Sequence, residues 1–144
     1  ELMWTATMAH SNMIGFEGDY ACHAVSHIFT ELFGLSHGEA LAILMPAWCC
    51  MMNPREPEFM MKFFSHVWHA EGSDNEALLW DGVKRFYRFI SSCGLATTLK
   101  EAGIINVDTD LVTDKVLRGE AQFIGGGFQK LYRQDVKNLI ELCL

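Results

Sequence analysis

Long apolar runs, basic clusters and paired cysteine motifs are all missing from this chain, and each absence removes a class of function. Eleven Lys or Arg face eighteen Asp or Glu among 144 residues, for a formal charge of −7. Nucleic acid and anionic membrane surfaces recruit clustered basic side chains, so both are excluded as partners. No apolar stretch reaches the ~18 residues that cross a bilayer, and Ala40 to Trp48 stops well short. The five cysteines, Cys22, Cys49, Cys50, Cys93 and Cys143, are odd in number and form no Cys-x-x-Cys pair. That pattern fits reduced thiols in the cytoplasm better than a disulfide framework or a zinc ribbon. No secretory signal is visible at the start. The run Gly125-Gly126-Gly127 follows no strand and lacks Gly-x-Gly-x-x-Gly spacing, so it reads as a loop rather than a phosphate cradle.

What is there is a helical chain. Length predicts one domain, large enough to bury its own core. Half the residues are apolar, and eight Met with ten Phe suggest surface that other sequence covers. Periodicity predicts helices over Glu1–Ile14 (ended by Gly15), Tyr20–Phe33 (capped by Asp19, stopped by Gly34) and Glu39–Met52. The last of these is apolar nearly all round, which places it at the domain centre, with Pro46 inside it. Further helices are expected over Glu58–Ala70, Asn75–Cys93, Asp108–Arg118 and Val136–Cys143. No strand-like alternation stands out, so the expected fold is an all-α helical bundle.

The densest chemistry lies between Gly18 and Asn53. His23 and His27 are four apart, one turn on one helical face, and His37 follows in the turn Gly34-Leu35-Ser36-His37-Gly38. A helix-borne and a turn-borne imidazole can converge on one metal ion. Such a pair on an amphipathic helix is more often a hydrogen-bonded structural device than a metal site, and spacing alone does not decide between the two. His66 and His69, three apart on the expected Glu58–Ala70 helix, imitate a ligand pair, but no carboxylate or thiol is placed to help them. His10 and Asn12 are given no role.

Three stretches carry a resemblance: Asp19-Tyr20-Ala21-Cys22-His23, then Val25-Ser26-His27, then Ser36 to Pro46 (SHGEALAILMP). Together they resemble the signature region of the iron-containing alcohol dehydrogenases, above all the butanol-dehydrogenase-like branch that reduces aldehydes with nicotinamide cofactors. The similarity extends back over Met3–Ala9 and forward to the last helix. The thirteen residues between His23 and His37 match the spacing of that family's two C-terminal metal ligands. The resemblance implies His23 and His37 as ligands of Fe2+ or Zn2+. It puts His27 beside substrate and NAD(P)H as the catalytic and cofactor-contacting histidine, and offers Phe16, Tyr20 and Trp48 as substrate-lining residues. It also implies the helical C-terminal domain of the dehydroquinate synthase-like fold, one metal-binding unit over 1–144.

Two positions depart from the branch, which usually has Trp at Tyr20 and Glu at Ser26, so substrate range and hydrogen bonding around the ligands are open. The family's other two ligands, an upstream Asp and a His four residues apart, have no counterpart before His23: His10 has Ala6 four before it. The expectation is therefore a piece of a longer enzyme acting on small alcohols or aldehydes. Its nucleotide-binding part would be the missing N-terminal portion, and a second copy of the chain is a further open partner. Two rivals remain. One is a helical binding or assembly module with structural histidines. The other is a lyase of the dehydroquinate-synthase type, which needs cationic side chains for its anionic substrate. Met13 to Trp48 contains no Lys or Arg, which disfavours it.

Overall fold

The computed structural model of the chain describes residues 1–11, 13, 18–118 and 121–144. Among them run α1 (Leu2–His10), α2 (Ala21–Phe33), α3 (His37–Met52), α4 (Pro57–Val67), α5 (Asn75–Ser92), α6 (Thr109–Leu117), β1 (Phe123–Gly125), β2 (Lys130–Tyr132) and α7 (Arg133–Glu141). The fold is a helical bundle with one small hairpin. As the apolar pattern requires, α3 is central: it packs against α2, α4, α5 and α7 and buries Ala40, Ile43, Leu44, Ala47, Cys49 and Met52. A helix surrounded on several sides has no use for a polar face.

The turn after α3 leads into Pro57, which opens α4, where a missing N–H costs nothing. Helices α4 and α5 then meet closely at Gly82, where a Cβ would stand 2.2 Å from the Phe64 ring. Asp74 caps α5 by accepting from the Ala77 N–H at 2.9 Å. Arg55 and Asp135 form an ion pair that ties the turn after α3 to α7.

The hairpin corrects the expectation of no strands. Phe123, Ile124 and Gly125 pair antiparallel with Tyr132, Leu131 and Lys130. Each strand has three residues, too few to show alternation, and both Gly125 and Gly126 sit at positive φ, +72° and +112°. The glycine run is a turn, as expected, but it closes a strand pair. Asp19 holds that turn down. One carboxylate oxygen accepts from the Ala21 N–H at the start of α2, 2.9 Å away. The other accepts from the Phe128 and Gln129 N–H groups at 3.2 and 3.3 Å. One side chain thus joins the start of α2 to the far end of the chain.

Boundaries move elsewhere. α1 stops at His10 and its expected end at Gly15 lies outside the described residues, as do Asn12 and Phe16. His37 is not borne by a turn: it is the first residue of α3, because Ser36 and Glu39 form a reciprocal cap. The Ser36 N–H donates to Glu39 Oε2 at 2.8 Å, and these bonds hold the Glu39 carboxyl below its usual range. α4 ends at Val67, before His69.

Candidate metal centre

Gly34, at φ +72°, ends α2, and the Ser36 cap starts α3 two residues later, so the two helices fold back on one another. This tight corner decides where the imidazoles go. His23, in the first turn of α2, meets His37 at the first position of α3, with their Nε2 atoms 3.3 Å apart. Two nitrogens bound to one ion at ~2.0–2.1 Å in tetrahedral arrangement stand roughly 3.3–3.4 Å apart. The donor set fits a divalent ion.

Ser26 is fully buried between the two helices. Its hydroxyl donates to the His23 carbonyl at 2.8 Å and lies 3.0 Å from His37 Nδ1. His27 is exposed; its ring stacks on His37, with centroids 5.5 Å apart and planes 27° apart, and stands 6.5 Å from His23. Tyr20 presents its ring to His23 nearly edge-on at 5.6 Å. His10, which the sequence offered no reason to select, brings its ring within 5.8 Å of both Tyr20 and His23. The Tyr20 hydroxyl also reaches the His10 carbonyl at 3.5 Å. No local spacing links residues 10 and 23, so this neighbour comes only from the tertiary path.

Four imidazoles therefore share one corner. The His23 ring is pushed below the ordinary imidazole range, first by burial and then by the neighbouring His37, His10 and His27. A partly buried imidazole among like groups resists taking a second proton and stays a neutral donor. Among the described residues no group of three or more His, Cys, Asp or Glu side chains is set to hold a metal ion. The corner supplies two donors, half of a shell.

Trp48 stands apart from this cluster. It lies eleven residues beyond His37 on α3, about 16 Å along the axis, and packs on Phe128 with centroids 5.6 Å apart. Phe16 lies outside the described residues. His66 and His69 do not form a helix-borne pair. His66 Nδ1 donates to the Lys62 carbonyl at 2.8 Å, while His69 lies beyond α4 at φ +50°.

The profile of the family described as "Fe-containing alcohol dehydrogenase family, C-terminal" matches residues 1–144. A probable NADH-dependent butanol dehydrogenase 1 of Bacillus subtilis is 26% identical over 147 residues, covering 99% of this chain and 37% of that protein. The NADPH-dependent aldehyde reductase YqhD of Escherichia coli is 30% identical over 106 residues, covering 72% of this chain and 27% of that protein. Among solved structures, the NADH-dependent butanol dehydrogenase A of Thermotoga maritima superposes with a TM-score of 0.84 at 28% identity, over 99% of this chain and 38% of its own. YqhD gives a TM-score of 0.89 at 21% identity over 99% of this chain and 37% of its own, a likeness of fold. The chain thus spans a little over a third of the length of such relatives. It belongs to the Fe-containing alcohol dehydrogenase family, whose C-terminal part it matches from end to end.

Proposed function

We propose that this chain is the helical, metal-binding part of a metal-dependent, NAD(P)-linked alcohol dehydrogenase or aldehyde reductase. The observation that carries the reading is the convergence of His23 and His37 through their Nε2 atoms at 3.3 Å. The relatives named above are NADH- or NADPH-dependent butanol dehydrogenases and an aldehyde reductase, which supports a nicotinamide cofactor and a small primary alcohol or aldehyde. The family's description favours iron, and zinc suits the same imidazole donors.

His23 and His37 hold the ion, each as a neutral imidazole. When bound, it supplies Lewis acidity that polarises the alcohol or aldehyde oxygen during hydride transfer. Tyr20, edge-on to His23, flanks one side of the pair. His27 is exposed and stacks beside His37. There it serves as a proton relay for the alcohol oxygen, or as a wall against the nicotinamide. Substrate contact by Trp48 would need a ligand that reaches some 16 Å along α3. The remaining ligands and the nucleotide-binding part belong to sequence outside these 144 residues. Five unpaired cysteines support a reducing, cytoplasmic setting. Among the described residues no helix is long and apolar enough to cross a membrane.

Purified on its own, the 144-residue chain is expected to bind Zn2+ or Fe2+ weakly and to leave NADH and NADPH unoxidised with butanal. Steady nicotinamide oxidation by this chain would overturn the division of labour. A second reading, a binding or assembly module, is favoured by one observation: α1 buries nothing, with Leu2 84% and Met3 85% exposed. In that case alanine at His23 and His37 would leave metal binding unchanged.

A further inference from the structure

We infer that Ser26 fixes the hydrogen of His37 on Nδ1, making His37 the preset member of the imidazole pair and His23 the member that adjusts. A serine hydroxyl has one hydrogen to donate and lone pairs to accept with. The hydrogen of Ser26 goes to the His23 carbonyl, 2.8 Å away, which can only accept. At 3.0 Å from His37 Nδ1, the same oxygen therefore accepts, and Nδ1 carries the N–H. A neutral imidazole has a single N–H, so His37 Nε2 is left as a bare lone pair. Ser26 is fully buried, so its hydroxyl is held on the inner side of the pair, away from bulk water.

The consequence falls on His23. Its Nε2 lies 3.3 Å from that lone pair, and two lone pairs facing each other at this distance repel. Without a cation between them, His23 Nε2 carries a hydrogen and donates it to His37. A divalent ion replaces that hydrogen. His23 then releases a proton from Nε2 and takes one from solvent at Nδ1, with no change in net charge, while His37 changes nothing. Ser26 is thus a positioning residue: it touches neither substrate nor ion, and it orients a donor through the opposite ring nitrogen. Partners of this kind are worth about 10–100-fold in metal affinity.

The statement about the metal-bound pair rests on the proposed ligand role; the statement about the metal-free chain does not. The test is long-range nitrogen–proton correlation NMR of the histidine rings in the full 144-residue chain at about pH 8, above the ordinary imidazole range near 6.5. The metal-free chain should show His37 with the hydrogen on Nδ1 and His23 with it on Nε2. Adding Zn2+ alone should leave His37 as it was and move the His23 hydrogen to Nδ1. Ser26→Ala should shift His37 toward the Nε2–H form that isolated imidazole prefers and weaken Zn2+ binding about 10–100-fold. Ser26→Thr, which keeps the hydroxyl, should restore both. His37 found as Nε2–H in the unaltered chain overturns the inference, whatever becomes of the variants. His37 found as Nδ1–H with no response to Zn2+ supports the role of Ser26 and overturns only the ligand reading.

Discussion

Two groups of histidines stand at similar spacings in this chain and meet opposite fates. His23 and His27 are four apart and His66 and His69 three apart, yet only the first group is brought onto a third imidazole. The difference is made by the chain around them. Gly34 in the left-handed region and the Ser36–Glu39 cap fold α2 back on α3, so His23 in the first turn of α2 faces His37 at the start of α3. Beyond His66, α4 stops at Val67 and the chain turns away, leaving His69 exposed and His66 Nδ1 spent on its own helix's carbonyl. Spacing makes a pair available; the corner makes it converge.

The contrast can be broken from either side. The largest effect is expected at Gly82→Ala in α5. Its new Cβ would lie 2.2–2.8 Å from Phe64 side-chain atoms, and overpacking of this kind costs ~1–3 kcal/mol. Thermal melting should fall by roughly 2–4 °C per kcal/mol for a chain of this size, while Zn2+ binding by the surviving folded protein stays unchanged. A loss of Zn2+ affinity at matched folded fraction would tie the α4–α5 side to the site and erase the contrast.

Asp19→Ala acts on the site's side of the molecule. It removes the acceptor for three backbone N–H groups, those of Ala21, Phe128 and Gln129, and should cost about 1–2 kcal/mol. Amide exchange should rise in the hairpin turn and the first turn of α2 more than in α5. Equal loosening of both regions would show that Asp19 does not hold that joint.

A smaller effect concerns pH. The folded chain holds His23 below the ordinary imidazole range, first through burial and then through its histidine neighbours. Below about pH 6.5 the unfolded chain therefore binds more protons at this residue than the folded chain. Its contribution to stability is intact at higher pH and declines as pH drops through that range. Denaturant midpoints at pH 7.5 and 5.5 should converge more in His23→Gln than in the unaltered chain. An identical pH slope in the two would contradict the crowding of His23. The smallest change is expected for His66→Ala. This exposed ring should be worth within ±0.5 kcal/mol and should leave Zn2+ binding untouched.

Much of this contrast was legible in the residues. Gly34 as a stop and the all-round apolar run after His37 give α2 and the central α3 from local chemistry alone, while the Ser36–Glu39 cap starts α3 two residues earlier than the apolar pattern does. Ser26 entered the sequence reading only as a departure from the family pattern, and its place on the inner face comes from the packing of α2 on α3. What stayed hidden depends on contacts far apart in sequence. The hairpin rests on three-residue strands and on Asp19, more than a hundred residues away. His10 arrives at His23 across a connection with no periodic signal. Trp48, singled out through the family resemblance, shares the face of His37 at eleven residues' remove, and the helical rise carries it about 16 Å away.

In the proposed site His23 and His37 share one ion. The most direct test is calorimetric titration of Zn2+ into the 144-residue chain, beside the double variants His23→Ala/His37→Ala and His66→Ala/His69→Ala. Weak binding that the first pair abolishes and the second preserves is the predicted result. Binding that survives loss of His23 and His37 would contradict it.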